Sequence, residues 1–112
     1  MEQKNDTNED VPAREQYPTG WLVLAKNESA AKIIDALLDL PHRREFNQTE
    51  LAKMANVSRQ SVANHRELLL SVGVIEEVQN TSRYRFNPES EVSKAIIQLD
   101  GSMNAAGLDI EA

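Results

Sequence analysis

The sequence contains no cysteine, few glycines and prolines, and few aromatic residues. Its 112 residues include four Gly, four Pro, one Trp, two Tyr and two Phe. The lack of Cys excludes disulfides, thiol catalysis and Cys-ligated zinc or iron–sulfur sites. The longest apolar runs, such as residues 21–25, are too short to span a membrane, and no signal-type segment accompanies them. We therefore expect a cytoplasmic protein without a membrane partner.

The negative charge is concentrated at the two ends of the chain. The net charge is −6, of which residues 1–20 carry −3 and residues 88–112 carry −4, so residues 21–87 carry +1. Phosphate neutralisation requires Lys and Arg, and residues 41–66 contain five of these against two Glu. The charge distribution therefore permits a nucleic-acid partner in the middle of the chain, although the net charge alone would disfavour one.

The composition divides the chain into four segments. Residues 1–19 are polar, acidic and twice interrupted by proline, which predicts a disordered arm. One small domain is predicted at 20–87, followed by a C-terminal helix at 88–104. The small and acidic residues 105–112 predict a flexible tail. A chain of this length has room for one domain and not for two full ones.

Helical periodicity and capping residues predict four helices. Asn27 and Ser58 are suitable N-caps for the first and the third helix. Asn47 and Glu50 have the spacing of a capping box at the start of the second helix. The helices are predicted at 28–40, at 48–54, at 59–71 and from Pro88 to about residue 104.

Short apolar and aromatic runs predict strands. Residues 74–78 and 83–86 are joined by four polar residues, which predicts a β-hairpin. The pair Glu45-Phe46 predicts a short strand before the second helix. The apolar run 21–24 fits either a short strand or an extended segment laid against a helix.

Two stretches of the sequence resemble the common pattern of bacterial and archaeal winged-helix transcriptional regulators. They are residues 49–62, TELAKMANVSRQSV, and Leu69 with the Gly-Val-Ile at 73–75. The resemblance covers 30–87 and departs at Asn56, where the pattern often has Gly, although Asn also tolerates the left-handed conformation. It implies a mainly α fold with a small β-hairpin, namely a winged helix-turn-helix with an added C-terminal helix.

Three segments resemble more specifically the small winged-helix proteins of halophilic archaea. They are REFNQTELA, SRQSV and RYRFNP, with an acidic helix after them. The chain has only five Lys, and its acidic excess lies outside the predicted DNA-facing segments. The resemblance implies a halophilic archaeal source, and therefore DNA binding with a shallow salt dependence.

The resemblance also implies a function, that of a sequence-specific regulator of transcription on double-stranded DNA. It places the helix 59–71 in the major groove. The wing, residues 79–85, would lie on the flanking backbone or in the minor groove.

The helical period indicates which side chains of the helix 59–71 would face DNA. Val62 and Leu69 lie seven residues apart and must face the core, which turns the residues between them outward. Amide side chains pair bidentately with adenine, an Arg contacts guanine or phosphate, and a small Ala can approach a thymine methyl group. The predicted base contacts are Arg59, Gln60, Ala63 and Asn64.

Hydroxyl and guanidinium groups near this helix are candidates for contacts with the DNA backbone. The alternative for each Arg is a solvated charge or a local salt bridge with Glu45, Glu76 or Glu77. That alternative is favoured for the two Arg in the loop before the second helix and stays open for the two in the wing. The predicted phosphate contacts are Ser58, Ser61, Arg83, Arg85, Arg43 and Arg44.

Arg66 occupies a position that is usually apolar in this pattern. It follows Val62 by four residues and precedes Leu69 by three. Either its stem lies along the edge of the core or His65 takes the inward position. A buried guanidinium would need a carboxylate partner, for which Glu50 is the candidate.

The C-terminal helix carries an apolar stripe at helical spacing, which predicts a homodimer interface. The segment at Trp21 and Leu22 is a further candidate for this interface. Two recognition helices would then read a palindrome with half-sites about 34 Å apart. The alternative is that this helix folds back over the first helix of its own chain. The predicted interface residues are Val92, Ile96, Leu99 and Met103.

Other classes of protein fit the sequence less well. The two His lie 23 residues apart, and no nucleophile motif or glycine-rich phosphate loop is present, so we expect no enzyme, metal site or cofactor. No feature indicates a small-molecule ligand. A winged helix can also serve only as a protein-docking module, in which case Arg59, Gln60 and Asn64 would be replaceable.

Overall fold

A computed structural model describes residue 16 and residues 19–107, and these residues are mainly helical with a small three-stranded antiparallel sheet. Apart from residues 16 and 19, the predicted arm lies outside the described residues, as do residues 108–112 of the predicted tail. The helices are α1 (Gly20–Ala25), α2 (Glu28–Leu38), α3 (Gln48–Ala55), α4 (Arg59–Ser71) and α5 (Glu91–Ala105). The strands are β1 (Glu45–Phe46), β2 (Ile75–Glu77) and β3 (Tyr84–Phe86).

The run 21–24 is helical, so the prediction of a strand or extended segment was wrong. The run lies within α1, whose N-cap is Thr19: the Thr19 hydroxyl accepts a hydrogen bond from the Leu22 N–H at 3.2 Å. A strand at this position would need a neighbouring strand for its backbone groups, whereas a helix pairs them internally. α1 packs against α2, and this tertiary contact outweighs the β preference of the run.

Helices α2, α3 and α4 surround the core with one apolar face each. α2 ends at Leu38, two residues before the predicted end, and its N-cap Asn27 makes no side-chain capping bond. Ile33 and Leu37 of this helix are fully buried, together with Leu51 of α3. The same core contains Val62 and Leu69 of α4.

The start of α3 and the turn after it follow the local signals in the sequence. The Asn47 side chain accepts from the Glu50 N–H at 2.8 Å, and Glu50 Oε1 accepts from the Asn47 N–H at 2.9 Å. The predicted capping box is therefore confirmed. Asn56 ends α3 in the left-handed conformation, with φ 58° and ψ 48°, and lets the chain turn directly into α4.

The sheet joins the predicted hairpin to the short strand that precedes α3. The strand order is β1-β3-β2, with Phe46 opposite Tyr84 and Glu45 opposite Arg85. Phe46 is fully buried, and its ring stacks on that of Tyr84 at 6.4 Å between centroids. The predicted hairpin and the predicted short strand are both confirmed. Phe46 and Tyr84 cover the core on the side of the sheet.

The end of α4 lies directly against the start of α5. Gly73 has φ +80°, and a Cβ built on it would lie 2.8 Å from the Cβ of Ser90. Ser90 is the N-cap of α5 and its hydroxyl accepts from the Ser93 N–H at 3.1 Å. Pro88 was predicted to begin this helix but lies in the preceding turn, where the Asn87 side chain accepts from the Glu89 N–H at 3.0 Å. That turn delays the helix by three residues.

α5 has two unlike halves. Val92 and Ile96 in its first half pack on the edge of the core, and Ser93 is fully buried. From residue 97 to residue 107 every side chain is exposed. In the described part of the chain, no helix has the length and apolar character needed to cross a membrane.

Candidate nucleic-acid interface

The first two turns of α4 present a polar surface to solvent. Val62 and Leu69 are buried, as the helical period predicts, and the opposite face of the helix is accessible. Arg59, Gln60 and Asn64 are exposed on that face, with Ala63 half-buried beside them. The structure therefore brings the four predicted base-contact residues together on one surface.

The two amides on this surface hold each other in place. Gln60 Nε2 donates a hydrogen bond to Asn64 Oδ1 at 2.9 Å, between residues one helical turn apart. The bond leaves the Gln60 carbonyl oxygen and the Asn64 amino group free to bind a ligand. Because both side chains are exposed, this mutual bond reduces the entropy that they would lose on binding.

Ser58 and Ser61 lie at the N-terminus of α4, where anions are favoured. The Ser58 hydroxyl accepts from the Ser61 N–H at 3.0 Å and donates to the Ser61 hydroxyl at 3.0 Å. Ser58 is therefore occupied as the helix cap. The Ser61 hydroxyl keeps its own proton for another acceptor.

Arg83 is bound to the body of the protein. Its Nη2 donates to Glu50 Oε1 at 3.0 Å and to the main-chain oxygen of Glu45 at 3.2 Å, and its Nε lies 3.5 Å from Glu45 Oε1. Glu50 Oε1 is the same atom that caps α3. This one guanidinium therefore connects the hairpin, β1 and the start of α3.

Arg85 is also paired within the sheet. Its Nε donates to Glu76 Oε2 at 2.7 Å, and this bond raises the pKa of Arg85 above its ordinary value. Of the two alternatives that the sequence left open for the wing arginines, the structure shows the local ion pair for both. The turn itself, residues 79–82, contains no charged residue.

The capping carboxylate of Glu50 has a perturbed acidity. The hydrogen bond from the Asn47 N–H is the main cause that lowers the pKa of Glu50. Desolvation is the next largest cause and opposes it, and the charge and the hydrogen bond of Arg83 lower the pKa further. Glu50 is therefore held in its charged form by both of its partners.

Arg43 and Arg44 lie at the other end of the sheet from the hairpin turn. Because Glu45 is opposite Arg85 in an antiparallel pair, the residues before Glu45 extend past Phe86, away from the turn at 79–82. Both side chains are exposed. The structure does not bring them together with the hairpin turn, and their contact with phosphate stays a prediction.

Arg66 does not reach Glu50. Its Nη2 lies 3.6 Å from Glu67 Oε2 on the same helix, and Glu50 is paired with Arg83 instead. His65 points towards α2, where its Nε2 is 3.0 Å from the Ser29 hydroxyl. Neither this contact nor the Arg83–Glu50 pair could be predicted from the sequence, since 36 and 33 residues separate their members and no local pattern connects them.

Comparison with known proteins adds no relative: no protein-family model, no curated protein and no solved structure matches this chain.

Proposed function

We propose that this chain is a winged helix-turn-helix protein that binds double-stranded DNA with sequence specificity and regulates transcription. The order α2, β1, α3, α4 and the β2–β3 hairpin supports this assignment. The observation that carries it is the polar, accessible face of α4, whose side chains offer the donor and acceptor groups that base recognition needs.

The hydrogen-bonded amides of α4 suit one adenine between them. Adenine offers an acceptor at N7 and a donor at N6 in the major groove. The free amino group of Asn64 matches the acceptor, and the free carbonyl oxygen of Gln60 matches the donor. In this arrangement the two side chains recognise the same base together, so replacing either of them removes the same base preference.

Arg59 is the cation best placed to contact DNA next to Gln60 and Asn64. It is the first residue of α4, it is exposed, and it forms no ion pair with any described residue. Arg83 and Arg85 are occupied by carboxylates, so they add little free positive charge to the surface. The proposed complex therefore depends more on base contacts than on phosphate neutralisation.

The decisive experiment is selection of bound DNA from a random duplex pool at high potassium chloride. The wild-type protein is compared with Asn64→Ala and with Asn104→Ala, since both Asn are exposed and helical but Asn104 lies on α5. We expect the wild type and Asn104→Ala to enrich one motif that Asn64→Ala no longer enriches, with about 1–3 kcal/mol of discrimination lost. If the wild type enriches no motif, a protein-docking module replaces this proposal.

A second comparison tests the placement of the basic residues. Arg59→Ala should weaken binding to the selected motif, whereas Arg43→Ala should leave it within experimental error, because Arg43 lies beyond the far end of the hairpin. The slope of affinity against salt should correspond to fewer than about eight released counterions. A steeper slope, or equal effects of the two substitutions, would contradict this assignment of contacts.

A further inference from the structure

An apolar groove lies between α1 and α5, on a part of the molecule that the proposed function does not use. It has a volume of about 570 Å³. Its walls and floor come from three helices and are formed mainly by aliphatic side chains. They include Trp21 and Leu24 of α1, Leu68 of α4 with Val72 directly after it, and Val92 and Ile96 of α5.

The second half of α5 extends beyond the groove, whose end is lined by Leu99, and all its side chains are exposed. Leu99 and Met103 continue the stripe of Val92 and Ile96, yet each is 45% exposed. An isolated helical end of this length is marginal in water, because helices in proteins are stabilised mainly by packing of an apolar face. The groove and the projecting half of α5 are therefore two apolar surfaces that nothing in the described part of the chain covers.

We propose that a second copy of this chain occupies the groove, with the two α5 helices antiparallel about a twofold axis. The stripe has spacings of four, three and four residues, which read the same in both directions about a point between Ile97 and Gln98. An antiparallel pair centred there places Val92 opposite Met103 and Ile96 opposite Leu99. The projecting half of each helix then fills the groove of the other copy, and the contact is closed.

The exposed apolar side chains supply more than a third of the area that such a dimer needs. Trp21 is 66% exposed at the edge of the groove. Together with Leu99 and Met103 it leaves on the order of 300 Å² of side-chain surface per copy. The groove walls and the polar edges of α5 extend this area towards the ~800 Å² per partner of a standard interface.

Sedimentation velocity without DNA tests the dimer by itself. The matched variants are Leu99→Asp, on the stripe, and Ile97→Asp, which is 41% exposed on the same helix but off the stripe. We expect the wild type and Ile97→Asp to sediment with twice the chain mass at micromolar concentration. Leu99→Asp should raise the dissociation constant about 100-fold or more, because it buries an unpaired charge. Circular dichroism checks that all three chains are folded.

The lack of native cysteine allows a direct test of the register. Val92→Cys and Met103→Cys each introduce the only thiol of their chain. On mixing and mild oxidation, the antiparallel pairing predicts mainly disulfides between the two different variants, as measured by intact mass. Mainly like-with-like disulfides would overturn the antiparallel register, and a monomeric wild type would overturn the dimer. Neither result concerns DNA binding, so the assignment of α4 is tested separately.

Discussion

Replacing Gly73 by Ala tests how closely α4 and α5 are joined. The new Cβ has to adopt φ near +80°, which costs about 1–2 kcal/mol for an L residue. It also meets the Ser90 Cβ at 2.8 Å, and relieving such a clash costs about 1–3 kcal/mol. The smaller entropy of the unfolded Ala chain returns about 0.4–1 kcal/mol. We therefore expect the free energy of unfolding to fall by about 3 kcal/mol.

Urea and thermal denaturation followed by circular dichroism measure this loss. At about 4–8 °C per kcal/mol for a domain of this size, the melting temperature should fall by roughly 12–24 °C. Gly101→Ala is the matched control, because a Cβ at Gly101 has nothing within 4 Å and the residue is inside α5. That substitution should stabilise the protein by about 0.5–1 kcal/mol through helix propensity.

A third glycine separates the two causes of the loss at Gly73. Gly107 has φ +77° but no neighbour within 4 Å of its built Cβ. Gly107→Ala therefore carries the conformational cost without the clash, and its loss should be about 1 kcal/mol or less. If Gly73→Ala lost no more than Gly107→Ala, the close contact of α4 with Ser90 would be refuted.

Two further predictions concern the core and the capping box. Leu51→Ala should lower the free energy of unfolding by about 2–5 kcal/mol, because the Leu51 side chain of α3 is fully buried in the core. Urea denaturation measures this loss, and a loss below about 1 kcal/mol would contradict the burial of Leu51. The pKa of Glu50 is lowered in the folded protein, chiefly by the Asn47 N–H and then by Arg83, so the unfolded chain binds the proton more readily. The stability that this adds is complete above the ordinary pKa of Glu and is lost as the pH falls through the lowered value. In Glu50→Gln, unfolding curves measured at neutral and acidic pH should show a weaker acid dependence than in the wild type, and an unchanged dependence would refute the assignment.

Local signals account for the elements that the sequence predicted well. The capping box needs only Asn47 and Glu50, three residues apart, and the left-handed turn needs only Asn56. The third predicted helix has its bounds confirmed, since Ser58 caps it and a positive-φ Gly73 follows it. Features of this kind are decided by neighbouring residues, so a single sequence contains them.

Tertiary contacts decided the features that were predicted wrongly or missed. The β-prone run of α1 is helical because it packs on α2, and no strand lies beside it among residues 19–107. Glu50 was the candidate partner of Arg66, but the pairing of β1 with β3 places Arg83 beside Glu50 instead. Which of several arginines reaches a carboxylate depends on strand register across more than thirty residues, and no spacing rule within one segment reports it.

Because Glu50 Oε1 accepts two hydrogen bonds, the stability of the fold and the affinity for DNA place opposite demands on this residue. It accepts from the Asn47 N–H and from Arg83, so it stabilises the start of α3 and restrains Arg83, the cation that directly follows the hairpin turn. A substitution that released Arg83 towards a DNA phosphate would tighten the proposed complex and uncap the helix in the same step. Selection for a higher DNA affinity at this position would therefore lower the stability of the fold. Compensating substitutions are expected elsewhere, for instance at the exposed Gly101, in any lineage that has made that exchange.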